Sequence, residues 1–158
     1  MVKPAFFDTS VLLGGLIEIG PGVEATQSVM AAISEGRVRQ PATAWHCCLE
    51  FYSVATRLPP EFRLSPRDAL LLMEEEILGR FEVHQLPEKS RLSLLRSSAN
   101  NGVMGGKVYD AHIGSIALET GASVLVTENV RHFSNLPAHG VDVLLASDFL
   151  SHLSRLEK

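Results

Sequence analysis

Apolar and polar positions alternate in blocks along the chain, and the blocks switch between a strand-like and a helix-like period. Ala5-Phe6-Phe7 is an apolar run too short for a helix and reads as a buried strand. Val11–Ile19 and Val23–Ser34 carry helical spacing and are parted by the breaker Gly20-Pro21-Gly22. Val38 to Gln40 predicts a short strand before Pro41, and Thr43 is placed to cap a helix running to about Arg57. Pro59-Pro60 stops that helix. Ser65-Pro66 starts the next, Ser65 as cap and Pro66 in the first turn, with Ala69, Leu70, Leu72, Met73 and Ile77 on its apolar side and an end near Leu78. Phe81–Leu86 alternates with a period near two and predicts a strand. Helices follow over Glu88–Ser98 and Tyr109–Thr120, with a Gly-rich loop from Asn100 to Lys107 between them. Ser123–Val126 and Val141–Leu145 read as strands, and Ser147–Leu156 as a last helix.

Strands that alternate with helices predict a parallel sheet covered on both faces. The length, 158 residues, suits a single domain over residues 1–158 with one core. Hydrophobic residues make up 46% and charged residues 20%, a globular balance rather than a disordered one. The net charge of −4 argues against a large basic surface that grips nucleic acid by charge alone. It leaves room for a nuclease, because divalent cations offset acidic residues. The two cysteines, Cys47 and Cys48, are adjacent and so unsuited to pairing with each other; both are expected in or near the core of a protein from a reducing compartment. Asp8 interrupts the apolar run Ala5–Leu13, so neither a leader peptide nor a membrane span is predicted, and a cytoplasmic location is expected.

Four acids stand out by context. Asp8 follows the first apolar strand, where the functional crevice of an open α/β sheet lies; its alternative role is a helix cap. Glu50 is the only formally charged residue between Ala44 and Ala55 and shares a helix face with Cys47, Phe51 and Val54, which points to a carboxylate with a special partner or to an edge position facing water. Asp110 sits in the first turn of its helix after Gly105-Gly106-Lys107, a position also favoured by the helix dipole. Glu128 follows the strand Ser123–Val126 as Asp8 follows the first. Parallel strands bring such positions to one sheet edge. Oxygen ligands gathered there suit Mg²⁺ or Mn²⁺, ions able to activate water and to offset the charge of an attacked phosphodiester.

These segments resemble the PIN domain, and within it the VapC-type toxin ribonucleases. The matching stretches are Phe6-Phe7-Asp8-Thr9-Ser10-Val11-Leu12-Leu13, Glu50 on its helix, Tyr109-Asp110-Ala111-His112-Ile113 with Ala117 and Gly121-Ala122, then Leu125-Val126-Thr127-Glu128-Asn129 and Arg131-His132-Phe133. The resemblance implies a three-layer α/β/α sandwich around a central, mostly parallel sheet. It implies a Mg²⁺- or Mn²⁺-dependent endoribonuclease with the metal on Asp8 and Asp110 and with Glu50 completing the acidic set. It also implies that Thr9 or Ser10 and Thr127 lie near the substrate phosphate or the metal waters, that the chain forms a homodimer, and that an antitoxin protein blocks the acidic pocket. The family's fourth acid falls at Asn129 by spacing, while Glu128 stands one residue early, so the fourth position belongs to Glu128 or Asn129.

Basic candidates for RNA phosphate contact are Arg57, Arg63 and Arg67, with Lys107 and Arg131 in loops beside the site. The six histidines form no metal-binding spacing and read as surface or satisfied residues; His112 projects to a different side of its helix from Asp110. Trp45 and Tyr52, seven apart on one helix, read as packing or partner contacts. The apolar faces of Thr43–Arg57 and Ser65–Leu78 are expected to meet partners. Other readings are a non-catalytic PIN-like module that binds RNA or a partner, and an enzyme using Asp8 as a phosphotransfer nucleophile. Against the latter, Ser10 stands where haloacid-dehalogenase-like enzymes carry a second Asp, and the acidic pair and late Lys of receiver domains are missing.

Overall fold

The computed structural model of the chain describes residues 2–158. Five strands form one all-parallel sheet: β1 Ala5–Phe7, β2 Pro41–Ala44, β3 Glu82–His84, β4 Val124–Val126 and β5 Asp142–Leu144, in the order β3-β2-β1-β4-β5. The helices are α1 Thr9–Leu16, α2 Glu24–Ser34, α3 Trp45–Ala55, α4 Pro66–Leu72, α5 Glu88–Asn100, α6 Lys107–Glu119 and α7 Ala146–Leu156. Contacts join α1, α2, α3, α4 and α7 to one another; α5 packs on α6, and α6 lies against β2. This is the three-layer α/β/α sandwich expected from the order of elements. Among the described residues no helix is long and apolar enough to cross a membrane.

β1 explains why so short a run suffices. All three residues are buried, and β1 pairs on both sides, Phe6 opposite Ala42 and Phe7 opposite Val126. Fully buried strands need continuous apolar sequence rather than alternation. Phe7 meets Phe81 and Phe149 edge-on at 5.8 and 5.4 Å, arrangements that aromatic quadrupoles favour. Cys47 and Cys48 are in the core, as expected. Gly14 and Gly15 let α1 close on α2: a Cβ at Gly14 would stand 2.7 Å from Thr26 Oγ1, and one at Gly15 would collide with Met30.

Several element boundaries shift from the sequence reading, and two of the shifts change a residue's role. The second strand is Pro41–Ala44, not Val38–Gln40. Proline fits the first position of a strand, where its missing N–H breaks no ladder. Pro-Ala-Thr-Ala lacks the bulk that marks a strand in sequence, and it is held by its neighbours β1 and β3. Thr43 is therefore a strand residue and caps nothing; its buried hydroxyl donates to the Phe7 carbonyl at 2.7 Å, and α3 starts two residues later. Ser65 does cap α4, accepting from the Asp68 N–H at 3.1 Å with Pro66 in the first turn. The same helical path continues through Met73–Leu78 in π geometry. Between β4 and β5 run two 3₁₀ turns, Val130–Phe133 and Pro137–His139, which the sequence pattern did not separate from loop.

Candidate active site

Because every strand runs the same way, the residues after β1, β2 and β4 meet at one sheet edge. The ladder extends to that edge: the Asp8 N–H donates to the Val126 carbonyl at 3.0 Å and the Thr127 N–H to Leu144 at 2.9 Å. Asp8 occupies the position before α1, yet it makes no side-chain cap to that helix. Its carboxylate instead accepts from Thr127 Oγ1 at 2.8 Å and Ser10 Oγ at 3.2 Å. Those hydroxyls are oriented in turn. Ser10 Oγ accepts the Glu128 N–H and Thr127 Oγ1 the Asn129 N–H, each at 3.0 Å. Asp8 is only 5% exposed. Burial pushes its carboxyl above the ordinary range, the Glu50 charge adds to the rise, and the Thr127 and Ser10 hydroxyls and the Thr9 amide oppose it.

Glu50 and Asp110 are more open. The Glu50 side chain is 41% exposed, which selects the edge position facing water of the two expected for it. Cys47 and Phe51 turn into the core, while Glu50 stands at the edge of that face. Its Oε1 faces His46 Nε2 at 3.2 Å and accepts from Thr9 Oγ1 at 3.3 Å. Asp110 lies in the first turn of α6, with Oδ2 3.3 Å from His132 Nδ1. Its pKa is raised by desolvation and by Glu50, against the opposing pull of His132 and His46. Glu50 thus repels both aspartates, the mark of three carboxylates sharing one neighbourhood.

The remaining candidates divide. Glu128 leaves the acid group: its Oε1 accepts the Ala146 N–H at 3.1 Å at the start of α7. Asn129, Arg131 and His132 line a cleft of about 450 Å³ together with Val143, Leu145 and Asp148. Lys107 is the exposed first residue of α6 rather than part of a loop. Arg63 Nε is engaged by the Leu58 carbonyl at 2.8 Å. Arg57 and Arg67 are exposed on and near the helices α3 and α4, away from the strand ends that carry the acids. Ser10 and Thr127 direct their hydroxyls at Asp8, and Thr9 directs its hydroxyl at Glu50, so all three hold acids in place.

Histidines are what the sequence reading missed. His46 and His132 contact Glu50 and Asp110, and His46 Nδ1 lies 2.8 Å from His112 Nδ1. Burial lowers the His112 pKa, helped by His46 and Arg91. The readable signal was the spacing of four between His46 and Glu50 on one helix. His112 does project away from Asp110, as expected, and reaches His46 instead.

Among the described residues, no three His, Cys, Asp or Glu side chains converge into a closed metal cage. Mg²⁺ rarely uses such a cage; it takes one or two carboxylates and keeps waters. Asp8, Glu50 and Asp110 are the acids at this sheet edge, and Glu50 repels each of the two aspartates.

A family model described as the PIN domain matches residues 4–131. Ribonuclease VapC27 of Mycobacterium tuberculosis is 32% identical over 148 residues, covering 93% of this chain and 100% of its own length. Ribonuclease VapC40 of the same species is 33% identical over 147 residues, with coverage of 93% and 100%. Among solved structures, DNA-bound VapBC from Salmonella typhimurium superposes with a TM-score of 0.62 at 21% identity, over 92% of this chain and 99% of that one. With an all-parallel sheet, acids at its carboxyl edge and these full-length matches, the chain belongs to the PIN domain family, among its VapC-type ribonucleases.

Proposed function

We propose that the protein is a Mg²⁺- or Mn²⁺-dependent endoribonuclease, the toxin of a toxin–antitoxin pair, with Asp8, Glu50 and Asp110 as its catalytic acids. The observation that carries this reading is the meeting of the three at the carboxyl edge of the parallel sheet, Asp8 after β1 and Glu50 held by the hydroxyl of Thr9 next to it, close enough for Glu50 to repel both aspartates. A divalent ion held by Asp8 and Asp110, with Glu50 completing the set, would supply charge neutralisation at the phosphodiester and activation of water. The chain's own residues do the positioning. Thr127 and Ser10 hold Asp8 in one orientation, Thr9 holds Glu50, and His132 holds Asp110. Arg131 and Lys107, both exposed near the acids, are the side chains offered to RNA phosphates.

The relatives' names and the VapBC structures support an antitoxin partner. For that partner and for a second copy of the chain, the contact surface is an apolar one. Trp45, Leu49 and Tyr52 form an exposed stripe on α3, with Leu70, Leu71 and Leu78 exposed on the segment that follows. Sedimentation at rising concentration checks the dimer, and a chain that stays monomeric at high concentration removes it.

Cleavage of a mixed RNA substrate with Mg²⁺ or Mn²⁺, and its loss on adding EDTA, tests the activity. Asp8→Asn and Asp110→Asn should each abolish cleavage with the circular dichroism spectrum unchanged. Full activity in either variant removes the proposed site. The capping role of Glu128 favours a second reading, a non-catalytic module that binds RNA or a partner, because one acidic position is diverted to structure. RNA binding without metal-dependent cleavage selects that reading.

A further inference from the structure

Each of the three acids has its own brace, and the brace on Glu50 is the longest. His46, in the first turn of α3, presents Nε2 to Glu50 Oε1 at 3.2 Å. Its Nδ1 meets His112 Nδ1 of α6 at 2.8 Å, with the rings 5.0 Å apart and crossed at 68°. An ionised carboxylate only accepts hydrogen bonds, so the His46 Nε2–H is the donor to Glu50. A neutral imidazole has one donor and one acceptor nitrogen. With His46 neutral, its Nδ1 is the acceptor and the His112 Nδ1–H donates to it. The direction of the whole chain follows: His112 to His46 to Glu50.

We propose that His46, locked by His112, is the positioning residue of Glu50, and that the pair sets the placing of Glu50 relative to Asp110. This rests on the nuclease reading above. Glu50 needs such a device more than its neighbours. It is the most exposed of the acids and has one more rotatable bond than an aspartate, so an unbraced Glu50 would spread over several rotamers. The link also spans the two helices that carry the open acids: His46 and Glu50 share α3, while His112 and Asp110 share α6. Partners that orient a metal-ligating side chain are typically worth about 10- to 100-fold in metal affinity.

The test uses the full chain and reads metal binding as well as cleavage. Mn²⁺ affinity is measured from free-ion electron paramagnetic resonance, with Asp8→Asn as the null control. His46→Ala should weaken Mn²⁺ binding by about 10-fold or more and lower kcat while leaving the KM for RNA unchanged. His46→Gln, whose side-chain amide can replace the Nε2–H, should restore most of both. His112→Ala should shift both readouts in the same direction by less. Long-range ¹H–¹⁵N spectra of the wild-type chain should show His46 as the Nε2–H tautomer and His112 as the Nδ1–H tautomer; the opposite assignment overturns the relay without any variant having to fold. If the wild-type chain binds Mn²⁺ and cleaves RNA while His46→Ala does both equally well, the positioning role fails and the nuclease reading stands. If the wild-type chain does neither, the nuclease reading fails and the inference falls with it.

Discussion

The two halves of the acidic site are held in opposite ways. On one side Asp8 is buried beside Cys47 under a closed set of hydroxyls, and each of those hydroxyls is fixed by a backbone N–H. On the other side Glu50 and Asp110 stand partly in solvent and are braced by imidazoles. A buried carboxylate with satisfied lone pairs has one orientation and a strongly disfavoured charge. A half-exposed carboxylate keeps its charge in water but gives up definition of its position. The buried half therefore fixes where the site is by packing, and the open half depends on its imidazole braces for its placing.

The largest expected difference between the halves is in activity. Asp8→Asn keeps shape and removes charge, and cleavage of RNA should fall by about a thousandfold or more, as for loss of a central charge-stabilising group. Glu50→Gln should fall less, because Asp8 and Asp110 remain; equal losses in parallel kinetic assays would erase the distinction between a buried and a braced acid.

Stability should move the other way. The folded chain resists ionising Asp8, because burial raises its pKa above the ordinary 3.8. A group with a raised folded pKa lends its full stability below the unfolded value and loses it as pH rises through the folded one. In EDTA the urea midpoint of the wild-type chain should therefore decline as pH rises above about 4, and Asp8→Asn should flatten that decline. Added Mg²⁺ should raise the melting temperature of the wild-type chain but not of Asp8→Asn. A wild-type profile already flat in EDTA would mean that the Asp8 charge is not resisted.

The hydroxyl network predicts a smaller effect. Thr127→Val strips a buried donor from Asp8 and leaves the Asn129 N–H without its acceptor, a loss of about 1–3 kcal/mol in urea unfolding. Thr9→Val on the open side, where the Glu50 oxygen has His46 and water as well, should lose under about 1 kcal/mol. The mildest readout concerns the thiols beneath the buried half. Burial pushes Cys47 up to about 12 and Cys48 to about 11. Iodoacetamide should leave both unlabelled in the native chain at mildly alkaline pH and modify both once urea unfolds it. Rapid native labelling of Cys47 would show that the floor under Asp8 opens.

Local pattern was enough for the strand Ala5–Phe7, for the start of α4 at Ser65-Pro66 and for the placing of Asp8 after a strand and of Glu50 and Asp110 on helices. Each rests on short-range chemistry: a continuous apolar run, a cap, an acid placed after a strand or inside an apolar stretch. Pro41–Ala44 was not legible, because its strand character comes from pairing with β1 and β3 rather than from its own side chains. The fate of Glu128 was not legible either. Its partner, the Ala146 N–H, is eighteen residues away, and only the pairing of β5 with β4, which carries α7 with it, brings the two together. The histidine braces depended on tertiary structure most of all. His46 and Glu50 share a helix and a spacing, but His112 is 66 residues from His46 and joins it only when α6 lies against the sheet beside α3. Sequence determined which side chains carry the charge, since that is chemistry local to each residue. The fold alone decided which of those charges face one another, because that depends on contacts between elements that no local pattern encodes.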